Sequence, residues 1–338
     1  MAVKRLNREQ FFDKLAQMDE AGLKKALWTL YWRGSASMRE RIEAVIDPQV
    51  QQVRRAVSKA PPDPGVVLEE VTEFATLARA GAYLGGDRRV SPKERTRWRH
   101  TFREHASEAL DALRAEDVET SAEAVETMMD LACEMGDYYY FRSEDSVEAA
   151  RFVVSDAADA LWSTIRDKRG FAAFCERAAG QLLRWESPYG WTLRGDGWVG
   201  QRETPLVQVV ARMLPAADAW GQFTDQYLLA LDRAAEDGRG ARARGVMSTE
   251  DVTSKDRARA LSEWHALLLE RLVDGDYEDR LDILVEHPAL AGPERTFLQA
   301  RLAEHRGDRD SARRLVRECL TALPGHRGFL ALAKEIGA

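Results

Sequence analysis

Apolar residues recur at three- and four-residue intervals along almost the whole chain, and strict alternation of apolar and polar positions is nearly absent. That period belongs to helices with one buried face, so an all-α fold is expected. Start and stop signals divide the pattern. Asn7 to Gln10 reads as a capping pair for a first helix, and Asp19 as the cap of a second, EAGLKKALWTLYWR, which stops at Gly34. Ser37 with Glu40 predicts a short third helix, and Asp47 followed by Pro48 a fourth running toward Lys59. PPDPG at 61–65 is a stiff break.

Beyond it, helices are expected over 66–80, from Pro92 behind a Ser91–Glu94 capping box, from Thr120 with Glu123 to Gly136, over 146–167 and over 170–185. The stretch 186–204, rich in Gly and aromatics, predicts a long loop or a small hairpin turning at Gly195-Asp196-Gly197. Thr204 and Pro205 restart the helical pattern, which continues over 215–236, and the polar, Gly-containing 237–253 predicts a flexible linker. Four regions follow: a basic helical segment at 1–60, a central helical array at 64–236, the linker, and paired short helices at 254–338.

Within the last region, ERTFLQARLAEHRGDRDSARRLVRECLTALPGH places Ala300 in one helix, Gly307 at a turn, Ala312 and Val316 in the next helix, and Pro324 after it. On those residues, 293–326 resembles a degenerate tetratricopeptide repeat. The resemblance implies a helical hairpin. ALLLERLVDGDYEDRLDILVEHP has the same helix, turn and helix layout in shorter form. The expected architecture is therefore a set of antiparallel hairpins stacked as an α-solenoid or irregular helical array.

Charge changes the picture locally. The chain of 338 residues has a net charge of −7, yet residues 1–107 carry 20 Lys or Arg against 14 Asp or Glu, and 108–160 carry 3 against 15. A basic block followed by an acidic one predicts pairing between them. No apolar run has the ~18 residues of a membrane span, and the charged N-terminus lacks the apolar core of a secretory signal, so a cytoplasmic, membrane-free setting is expected. Cys133, Cys175 and Cys319 are widely spaced and odd in number, which predicts free, buried thiols. The excess of Arg over Lys and the abundant Ala point to a bacterium with GC-rich coding.

The candidate contact residues follow. Projected at 100° per residue, Trp98, Phe102, Ala106 and Ala109 form the buried stripe of the helix that starts at Pro92, and Arg95, Arg99 and Arg103 border it. Arg88 and Arg89 precede that helix's N-terminus, where anions are favoured. The acidic stripe Glu123, Glu126, Asp130 and Glu134 is the expected partner of the Arg row. Trp28 and Trp32 lie opposite Leu23 on the second helix, so that helix is either buried on two faces or offers an aromatic patch. Tyr189, Trp191 and Trp198 are the aromatic candidates of the loop.

The six histidines form no metal-binding motif with one another or with cysteine, and no phosphate loop, dinucleotide fingerprint or nucleophile elbow occurs. No catalytic residue, metal or cofactor is expected. The expected function is a non-enzymatic scaffold or adaptor that binds a protein or peptide. The alternative is a protein that holds nucleic acid or phosphate through the basic N-terminal block, and an enzyme without a recognisable motif comes third. Homo-oligomerisation is left open.

Overall fold

A computed structural model describes residues 8–33, 39, 42, 60–85, 87–136, 138–186, 197–243, 250–275 and 277–338. Among them every regular element is an α-helix. The chain divides into two compact units, 1–61 and 62–338. The first holds α1 (Arg8–Ala16) and α2 (Glu20–Arg33). Asp19 caps α2 as its sequence predicts, its carboxylate accepting the Gly22 N–H at 2.8 Å. The third and fourth predicted helices, with Ser37, Glu40, Asp47 and Pro48, lie outside the described residues.

The second unit begins with α3 (Pro64–Arg79), α4 (Pro92–Ala112) and α5 (Val118–Glu134), which pack against one another. Asp63 caps α3 through Gly65 and Val66, with Pro64 as first helical residue. The Ser91–Glu94 capping box forms on α4, the Ser91 N–H donating to Glu94 at 3.0 Å and the Glu94 N–H to Ser91 Oγ at 3.3 Å. The start of α5 differs from expectation. Asp117 takes the cap position, accepting from the Thr120 N–H and hydroxyl, and Thr120 sits inside the helix.

A larger departure concerns 146–167. The expected single helix is two, α6 (Ser146–Ala150) and α7 (Val154–Arg169), parted at Arg151, whose φ of 52° is left-handed. Distant carboxylates stabilise the break. Glu203 accepts the Val154 and Ser155 N–H groups at the start of α7, at 2.6 and 3.0 Å. Glu148 of α6 accepts the Val199 N–H at 2.8 Å at the start of α9 (Trp198–Arg202). Within the aromatic segment residues 198–202 are therefore helical, and the turn expected at Gly195 and Asp196 lies outside the described residues.

Between these come α8 (Phe171–Glu186) and, beyond α9, α10 (Leu206–Met213). Thr204 does not cap α10. Its N–H donates to Ser155 Oγ, and buried Glu186 accepts the Leu206 N–H at 2.9 Å. The next helix, α11 (Ala217–Ala243), runs on through part of the stretch read as a linker, and α12 (Glu250–Asp274) begins inside it. Then follow α13 (Glu278–Val285), α14 (Pro293–His305), α15 (Arg309–Ala322) and α16 (Arg327–Ile336).

Packing proceeds mainly along the chain: α5 on α7, α7 on α8, α8 on α11, α11 on α12, α12 on α14, α14 on α15 and α15 on α16. Ala300 and Ala312 are fully buried where α14 meets α15. The turn between these two helices uses Gly307 at φ 79° and Asp308, which caps α15 by accepting the Ser311 N–H at 3.1 Å. One apolar core extends from α3 to α14, and a second, smaller one joins α14, α15 and α16 around Phe297, Val316 and Phe329.

Candidate functional site

The orientation of α4 is set by its apolar stripe. Trp98 is only 1% exposed and stacks on Phe141 with ring centroids 4.2 Å apart, while Phe102 meets Phe74 edge-on. Trp98 is thus a core residue and no part of a contact surface. Anchoring that stripe turns the Arg row outward.

Two of the sequence-predicted arginines have intramolecular duties. Arg89 pairs with Asp87 and donates to the Ala80 carbonyl at 2.9 Å, and Arg95 donates to the Asp87 carbonyl. Together they fasten the loop before α4 to the end of α3. Hydrogen bonds from Arg89 hold the Asp87 carboxyl down to about 2. Arg99 lies beside the ring of Trp98, its guanidinium carbon 5.9 Å from the centroid, and Arg103 donates to the Arg99 carbonyl at 3.0 Å. Both heads are exposed, and so are Arg88, Lys93 and Arg97. Among the described residues Arg88, Arg97, Arg99 and Arg103 have no carboxylate partner, while the charge of Lys93 acts on Glu94.

The acidic helix α5 is neutralised from elsewhere, which corrects the expectation that it partners the Arg row. Arg79 of α3 forms a two-pronged pair with Glu134, at 2.8 and 2.9 Å, and Tyr140 donates to the same carboxylate at 3.1 Å. From α8, Arg177 binds Glu126 and Glu119, each at 2.5 Å, and Arg184 binds Asp130. The Trp185 indole donates to Asp130 at 3.0 Å, and Gln181 links Glu126 to the Trp162 indole, both steps at 2.6 Å. Burial raises the Asp130 pKa despite the nearby arginines. Glu123 stays exposed.

The aromatic candidates separate. Trp28 and Trp32 are 59% and 71% exposed, stack on each other at 5.7 Å, and sit on a helix with no buried residue. Burial of α2 on two faces is therefore not seen among the described residues. Trp198 is partly exposed between the guanidinium groups of Arg202 and Arg151, 4.9 and 5.6 Å from its ring. Tyr189 and Trp191 lie outside the described residues.

Buried polar groups concentrate near α11, α12 and α14. The Tyr227 hydroxyl meets His265 Nε2 at 2.7 Å, and His265 Nδ1 lies 3.5 Å from Glu294, all three buried. This chain crosses three helices through the core and serves to fix them. A nearby cavity of about 250 Å³ is lined by Leu214, Trp220, Arg271 and Asp274, with the Arg271 guanidinium 5.5 Å from the Trp220 ring. Among the described residues, one group of metal-ligating side chains converges: Glu70, His105 and Glu108. Sequence reading missed it because Glu70 comes from a different helix, though the His-x-x-Glu spacing on α4 was visible. No helix among the described residues is long and apolar enough to cross a membrane. No protein-family model, curated protein or solved structure matches this chain.

Proposed function

We propose that this chain is a non-enzymatic helical scaffold whose α4 binds an acidic segment of another protein. One observation carries the reading: Arg88, Arg97, Arg99 and Arg103 stand exposed with no carboxylate partner among the described residues, gathered on α4 and the loop before it. Exposed guanidinium groups beside an aromatic core are suited to carboxylate recognition, because the planar fork donates two parallel hydrogen bonds.

The packing of each helix on those near it in sequence supports a hairpin array of the solenoid kind, and α14 with α15 supplies its tetratricopeptide-like part. Such arrays work by presenting surface. Three buried cysteines, with no disulfide among the described residues, fit a reducing, cytosolic setting. Trp28 and Trp32 on α2, and Trp198 between its two arginines, offer further aromatic contacts.

Affinity capture from native lysate tests the proposal: a specific acidic protein retained at low salt and released at high salt is expected. Recovering none across several conditions contradicts it. Nucleic acid is the competing ligand for the same cations. A mobility shift with duplex or single-stranded oligonucleotides that disappears steeply with salt would assign these cations to phosphate instead.

A further inference from the structure

On the side of α4 away from the Arg row, we infer a binding site for one divalent transition-metal ion, zinc by the chemistry of its donors, formed by Glu70 of α3 with His105 and Glu108 of α4. One ligand atom from each residue lies within 4.8 Å of the other two. His105 Nδ1 is 3.9 Å from Glu108 Oε2. That separation is too long for a hydrogen bond, and the buried Nδ1 has no hydrogen-bond partner among the described residues. A buried ring nitrogen without a partner is costly, so the fold holds a lone pair in reserve.

The two carboxylates face the same point. Among the described residues neither has another charged partner. Two carboxylates converging on an imidazole favour a cation between them. Ligand atoms on a tetrahedral zinc ion with bonds of ~2.0–2.2 Å stand roughly 3.3–3.5 Å apart, so small rotations of two exposed glutamates close the site around an ion. One imidazole and two carboxylates match zinc better than magnesium or calcium, which prefer oxygen alone. The ring is already oriented, because His105 packs on Phe74 with centroids 5.2 Å apart. Glu108 lies one turn beyond His105 on α4, and Glu70 reaches across from α3. The ion would join those two helices, with water in its open position.

Chelator-treated full-length protein titrated with Zn²⁺, and separately with Co²⁺ followed by visible absorption, tests this. The expected result is one ion per chain, Co²⁺ bands of tetrahedral intensity, and a zinc-dependent rise in the melting temperature. Glu70→Gln and Glu108→Gln change exposed residues and should fold normally, and each should weaken binding at least about tenfold. His105→Ala should abolish the Co²⁺ bands. The inference is overturned if wild-type protein takes up no stoichiometric ion, or if both Gln variants bind as the wild type does.

Discussion

Arg79 and Glu134 lie 55 residues apart and form a two-pronged ion pair, Nε to Oε2 at 2.8 Å and Nη2 to Oε1 at 2.9 Å, that ties the end of α3 to the end of α5. The acidic stripe of α5 thereby takes its cations from α3 and α8, while Arg97, Arg99 and Arg103 of α4 stay exposed. Arg79→Ala should destabilise the protein by about 1 kcal/mol, a value held down by the exposure of the guanidinium. Arg99→Ala should stay within about 0.5 kcal/mol of wild type. Urea unfolding of both variants checks the contrast.

Asp87 makes a pH-dependent contribution. Its carboxyl is held down to about 2 by Arg89, below the ordinary 3.8, so the folded state binds fewer protons than the unfolded chain in between. The stabilisation is complete above about pH 5 and lost as pH falls toward 2. Asp87→Asn should therefore be less stable than wild type at pH 5, and the difference should shrink between pH 4 and pH 2.5. A difference that is constant across that range contradicts the assignment.

Thiol chemistry reports on the core. Cys133, Cys175 and Cys319 are buried, and burial pushes the thiols of Cys175 and Cys319 up to about 12. None of the three should react with a thiol reagent at pH 8 in the native protein, and all three should react in urea. Fast labelling of the folded chain would contradict this packing.

Gly197 has a close neighbour. A Cβ placed there falls 2.0 Å from Glu148 Oε1, the oxygen that accepts the Val199 N–H. Gly197→Ala should displace that carboxylate, uncap α9 and cost about 1 kcal/mol, comparable to losing an N-cap. A shift of Trp198 fluorescence should accompany it.

What could be read from sequence divides along physical lines. Ser91 with Glu94, and Asp19, were legible because capping acts over three residues, and the Trp98 stripe because helical period exposes a buried face. The Arg151 break was not, since Glu203 and Glu148 stabilise it from far along the chain or act on another helix. Asp117 displaced Thr120 as a cap because both are good acceptors three residues apart. The direction of the Arg row followed from its angle on α4, yet its expected partners did not, because pairing depends on which helices become neighbours. The Glu70–His105–Glu108 group was hidden for the same reason.

The central claim is that the unpaired cations of α4 hold an acidic protein segment. Affinity capture from native, nuclease-treated lysate, quantified by mass spectrometry, with wild type compared to the triple variant Arg97→Glu, Arg99→Glu and Arg103→Glu tests it most directly, folding being checked by circular dichroism. The account predicts a partner retained by wild type and lost by the variant. Identical proteins recovered by both baits, or a partner that is captured only when nuclease is left out of the lysate, would contradict it.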